Sequence, residues 1–122
     1  MAAPRVAKKM AEVVFVPPIL ITKRRMTALR KGHKATDMDD RWHAVFHDVD
    51  DANATLSFHR SWTGHEIYRA FIQKDDDGNY ELYKFAYNTD KSEFKPQDTS
   101  DLADRMIELL DSIFPSRRAS SK

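Results

Sequence analysis

Between positions 57 and 69 the chain sets out side chains suited to holding an anion: Ser57, His59, Arg60, Ser61, Thr63, Gly64 and Arg69, with Trp62 among them. Arginine and histidine donate to phosphate oxygens, and hydroxyls with a glycine-flanked backbone can close around them. An indole at a turn tip offers a face on which a base or ring can stack. His59 is the residue suited to move a proton near neutral pH and is the one catalytic candidate. Arg60, Ser61, Trp62, Thr63, Gly64 and Arg69 are the ligand-binding candidates, with Lys84 a further donor. A structural alternative stands beside this: Trp62 plugs the sheet edge and Arg60 pairs with Glu66.

Other chemistry is weaker in the residues. His43 and His47 are four apart, a metal-sharing distance on a helix. On a strand they lie about 13 Å apart at roughly 3.3 Å per residue, too far to share one ion. His43 and His59 could meet across two strands, but no third ligand is evident, so no metal site is expected. Residues 75–81, DDDGNYE, carry glycine at the fourth place of the run and have no flanking helix, which argues against a calcium loop. Arg117, Arg118 and Ser120 have the form of a basophilic kinase site, a short pattern that arises often by chance.

The elements that must position these residues are legible from periodicity. Residues 42–47, 55–61, 65–73 and 80–87 alternate apolar and polar, with turn residues between them, and predict a four-stranded antiparallel meander. Phe46 opposite Leu56, Ala44 opposite Phe58 and Trp42 opposite Arg60 set the first register. A three-residue loop of Trp62, Thr63 and Gly64 sets Phe58 opposite Tyr68 and Arg60 opposite Glu66. An Asp77-Gly78 turn sets Ile72 opposite Tyr83, Ala70 opposite Phe85 and Tyr68 opposite Tyr87. Three turns then agree on one apolar face. His59 falls on the opposite face from Arg60, which favours His59 and the turn over Arg60 as a site.

Thr22 and Gly32 frame a short helix ahead of the first strand. Acids at 98–101 open a second helix with Leu102, Met106, Leu109, Leu110 and Ile113 in an apolar stripe. Residues 12–16 form a β-like run ended by Pro17 and Pro18. The expected fold is α+β: a four-stranded antiparallel β-meander, a C-terminal helix packed on one face and a short helix before the first strand. Residues 1–11 read as a disordered basic N-terminus, 12–115 as one domain and 116–122 as a mobile tail.

Within 122 residues there is no cysteine, which removes disulfides and zinc thiolates. The longest apolar run is too short to span a membrane, no signal-peptide pattern is present, and a cytoplasmic setting is expected. Residues 1–34 hold nine Lys/Arg against one acid, whereas 35–115 hold eight against eighteen. Such a basic head suits a polyanion through Arg24, Arg25, Arg30 and Lys31, or lies on the acidic body of its own chain.

The string M-D-D-x-W at 38–42, followed by F-H-R-S-W-T-G-x-x-I-Y at 58–68, resembles the shared core of a family of small, mostly bacterial, uncharacterised proteins. Asn88, Thr89 and Asp90, the C-terminal helix and the helix at 22–32 are similar to it too, so the resemblance covers roughly 22–114. It implies a nucleotide or ADP-ribose context and no activity or cofactor. The loop at 48–53 is longer than that pattern, and His43 and His47 depart from it. His59 and residues 60–64 therefore carry more of any shared role. The leading reading is a small domain that recognises a phosphate-bearing ligand. A protein-interaction module and a nucleic-acid binder are the alternatives.

Overall fold

A computed structural model describes residues 3–36, 39–95 and 101–115. The expected start of the second helix at 98–100, Met38 and the tail with Ser120 lie outside them. Five strands form one antiparallel sheet: β1 (Met10–Ile21), β2 (Trp42–Asp48), β3 (Asn53–Arg60), β4 (Glu66–Lys74) and β5 (Tyr80–Asn88), in the order β1-β5-β4-β3-β2. The sheet thus has one strand more than expected. Pro17 and Pro18 suggested that the first run stopped at Val16. Instead β1 continues past them, because it is an edge strand and the register shifts between Val14 and Ile19. An edge tolerates residues that cannot donate to a ladder.

Helix α1 (Lys23–Lys31) follows β1 rather than preceding the sheet. Its framing is as expected: the Thr22 hydroxyl accepts from Arg25 N–H at 3.1 Å, and Gly32 N–H donates to the Leu29 carbonyl. Helix α2 (Leu102–Ile113) buries Leu102, Met106 and Leu110, which repeat every four residues. With Met26 and Leu29 of α1 they cover one sheet face made of Ala44, Leu56, Phe58, Ala70, Ile72, Leu82 and Phe85. Arg25 ties the two helices together. It is 7% exposed, reaches Asp111 at 2.6 Å and donates to the Phe114 carbonyl at 3.0 Å, where the end of α2 favours a cation.

The meander register follows the sequence reading at Phe46–Leu56, Ala44–Phe58, Trp42–Arg60, Phe58–Tyr68, Ala70–Phe85 and Tyr68–Tyr87. It departs at two bulges. Between β3 and β4, His59 and not Arg60 stands opposite Glu66, with Ile67 as the extra residue. The turn after Arg60 closes through Arg60 N–H to the His65 carbonyl and holds four residues instead of three, so one residue is absorbed downstream. Between β4 and β5, Leu82 and not Tyr83 stands opposite Ile72. Asp75 anchors a longer hairpin by accepting from the N–H groups of Asp77 and Asn79, and the shift delivers an aliphatic side chain to the core.

Residues 3–9, read as part of a disordered head, lie along the start of β4. Arg5 N–H donates to the Gly64 carbonyl at 2.7 Å, Glu66 N–H donates to the Arg5 carbonyl, and Ala7 N–H donates to the Glu66 carboxylate at 3.0 Å. No helix among the described residues is long and apolar enough to cross a membrane.

Candidate functional site

The turn after β3 is fixed from several sides. Gly64 adopts φ +80°, and its N–H donates to the Arg60 carbonyl at 2.7 Å. Its carbonyl accepts from Arg5 N–H and bonds His59 Nδ1 at 3.0 Å. Ser61 is fully buried. Its hydroxyl donates to the Asp40 carbonyl at 2.8 Å and its N–H to the Arg41 carbonyl, which pins residues 40–41 beneath the turn. The Thr63 hydroxyl accepts from His65 N–H, and Trp62, held by no such bond to a described residue, is 56% exposed.

Strand parity separates His59 from Arg60, and the two faces have opposite exposure. His59 is 4% exposed and lies beside His43 across the strands. The His43 Nδ1 accepts from Ala35 N–H at 3.0 Å, so that nitrogen carries no proton. Burial, and then the neighbouring His59, lowers the His43 pKa, with His33 and Lys34 adding to this and Asp40 opposing it. Because the folded state disfavours the proton, the unfolded chain binds more protons below its ordinary value near 6.5. Stability is therefore expected to fall as the pH drops below that value and to level off beneath the depressed folded pKa. Urea denaturation across pH 7.5 to 5 checks this. His43→Asn, which keeps an acceptor and cannot titrate, should flatten that part of the profile.

Arg60 opens on the helix side. Its guanidinium lies over the Trp42 ring at 5.0 Å and donates no hydrogen bond to a described residue. Two adjacent clefts meet at it. One, of about 600 Å³, is lined by Arg41, Arg60, Trp62, Thr63, Glu93, Phe94 and Lys95. The other, of about 470 Å³, has Trp42, Tyr68 and Phe94 as aromatic walls and Arg60, Lys95 and Arg105 as cations, with Glu108, Leu109 and Ser112 completing it. Tyr68 packs edge-on against Phe94 at 5.7 Å and stacks with Trp42 at 6.3 Å. Burial raises the Tyr68 pKa, with nearby Arg105 and Arg60 pulling the other way, so its hydroxyl stays a neutral donor. Of the acids, Glu93 accepts from the Asn88 side chain at 2.8 Å and lies 3.5 Å from His65, while Asp101 holds Arg105 at 3.1 Å. Among the described residues no carboxylate pairs with Arg41, Arg60 or Lys95. An aromatic-walled cleft with unpaired cations can hold a ligand that carries negative charge and a flat ring.

Arg60, Trp62 and Thr63 thus come together at the clefts. Ser61 and Gly64 lie buried beneath them as supports. Arg69 is elsewhere, on the His59 face, in a bidentate pair with Glu66 at 2.8 and 2.6 Å. Lys84, on the same face, reaches Glu12 at 3.2 Å and lies over the Phe71 ring. Among the polyanion candidates Arg25 is buried, as described. Arg30 bonds Asp48 and the Tyr80 hydroxyl, while Arg24 and Lys31 are exposed. Arg30 and Lys31 also line a third cleft, of about 670 Å³, with His33, Lys34 and His43. His33 Nε2 lies 2.7 Å from Asp40 there. Among the described residues no three His, Asp or Glu side chains are grouped to share a metal ion.

Sequence reasoning did not find Arg41, Phe94, Lys95 or Arg105. Lys95 and Phe94 stand in a polar connection with no periodicity to place them. Arg105 and Ser112 do share a helix face with Leu109, spaced four and three apart, at the edge of the apolar stripe to which Leu109 belongs. That face was the available signal. Compared with family models, with curated proteins and with solved structures, the chain gives no significant match.

Proposed function

We propose that the protein binds a phosphate-bearing small molecule of the nucleotide class, ADP-ribose included, in the double cleft around Arg60. One observation carries this reading: the Arg60 guanidinium lies over the Trp42 ring at 5.0 Å and lines both clefts, with its N–H fork free of any described residue. A guanidinium held against a ring matches two phosphate oxygens at reduced entropic cost. Lys95 and Arg41 add charge beside it, and exposed Trp62 supplies the stacking face. His59 takes no part in this reading, since its ring is buried and bonded on the other side of the strand. Ser61 and Gly64 serve by holding the turn that carries Trp62. The nucleic-acid alternative has less support, because Arg25 is buried against α2 and Arg30 is engaged by Asp48 and Tyr80.

Calorimetric titration of AMP tests the reading. Arg60→Met keeps the stem over Trp42 and removes the fork. It should weaken binding roughly 10- to 100-fold, the equivalent of a charge-assisted pair of about 1.5–3 kcal/mol. Trp62→Ala should weaken AMP but leave inorganic phosphate unchanged. An Arg60→Met affinity within twofold of the parent would place the ligand elsewhere.

A further inference from the structure

Resting on the nucleotide reading, we infer that the site selects a pyrophosphate ester over a monophosphate, and that Arg105 is the residue that selects it. The two clefts are not separate sites, because Arg60, Phe94 and Lys95 line both. A ring on Trp62 occupies the first, and its phosphate meets Arg60 at the shared wall. From there the way on leads into the second cleft, whose further donors are Arg105, the Tyr68 hydroxyl and Ser112. Tyr68 donates no hydrogen bond to a described residue, and burial keeps its hydroxyl protonated. The second cleft, at about 470 Å³, is of a size that holds a ligand fragment and not one phosphoryl group alone. Its Leu109 and Trp42 walls accept the substituent beyond the second phosphate.

Arg105 reaches this cleft from α2 while paired with Asp101 at 3.1 Å, and both side chains are substantially exposed. An exposed pair of this kind is weak and exchanges partners readily. A second phosphate can therefore take Arg105 without a change of fold, and Asp101 remains at the start of α2, where the helix end favours it. Among the described residues Glu108 is the one acid lining the second cleft, and it disfavours an anion lodged close to it. The second phosphate is accordingly expected against Lys95 and Arg105.

Titrating AMP and ADP into the full chain and into Arg105→Met tests this. ADP should bind at least tenfold more tightly than AMP to the parent. Arg105→Met should remove that advantage and leave AMP within twofold. Equal affinities in the parent, or an equal loss for both ligands in Arg105→Met, would overturn the inference while leaving Arg60-dependent AMP binding intact. If neither ligand shows Arg60-dependent binding, the nucleotide reading and this inference fall together.

Discussion

Gly32→Ala should cost the fold about 3 kcal/mol or more, the upper end of what a disallowed backbone conformation removes. Gly32 ends α1 with φ +67° and ψ −164°. That region is essentially closed to residues with a side chain, and unlike a left-handed helical cap it does not admit asparagine either. Space is missing as well, since a Cβ there would lie 2.6 Å from the Ala44 carbonyl oxygen. That oxygen cannot give way, because it accepts His33 N–H at 2.8 Å while His33 returns its carbonyl to Ala44 N–H at 2.7 Å. Gly78 is the control. It has φ +83° and nothing within 4 Å of the place a Cβ would take, so Gly78→Ala bears the conformational cost alone, about 1 kcal/mol. Urea midpoints of the two variants measure the difference. Equal losses would mean that the Ala44 contact is not rigid.

Glu66→Ala should cost about 3 kcal/mol, because it strips a buried carboxylate from several donors at once. Glu66 is 1% exposed, and its side chain accepts from Arg69 and from Ala7 N–H. Burial alone would raise its pKa. The bonds from Arg69, Ala7 and Ser57 outweigh that and hold the group below the usual carboxylate range. A depressed folded pKa stabilises the protein above the ordinary glutamate value near 4.5, and that stability is lost as the pH falls through the folded value. Denaturant titrations of Glu66→Ala should accordingly show its deficit at pH 7 shrinking in that acid range. The double variant with Arg69→Ala should recover part of the loss, since Arg69 is then no longer left unpaired. A Glu66→Ala deficit under about 1 kcal/mol at pH 7 would contradict this view of how residues 3–9 and β4 are joined.

How far the fold could be read from the sequence depended on which interactions are local. β2–β5 were legible because alternation, turn residues and a shared apolar face agree. The caps of α1 were legible because Thr22 and Gly32 act on their own neighbours. β1 was not, since prolines argue against a strand in general and only its edge position permits them. The bulges at Ile67 and Tyr83 were hidden because loop length is set by side-chain anchors. Gly64 and Asp75 could be recognised as turn residues, but the number of residues each turn would hold could not.

The site divides along the same line. Parity put His59 and Arg60 on opposite faces, as the structure has them. Which face stays open is a tertiary property. Residues 33–35 bond to β2 and residues 5–7 to β4, and His43 and His59 are buried on that side. On the other side Trp42, Tyr68 and Phe94 wall a cleft that Arg60 and residues of α2 line together. Nothing near residue 60 in the chain announces Lys95 or Arg105.

The chain has two tryptophans, and both line the double cleft, Trp62 in the first part and Trp42 in the second. Their indole N–H signals in a proton–nitrogen NMR spectrum therefore report on the proposed site directly. Adding ADP should shift both, together with amides around residues 60–63 and 93–95, and Arg60→Met should abolish the shifts at the same ligand concentration. Silent indoles, with shifts confined to Lys31, His33 and Lys34 beside α1, would contradict the assignment of the ligand to Arg60.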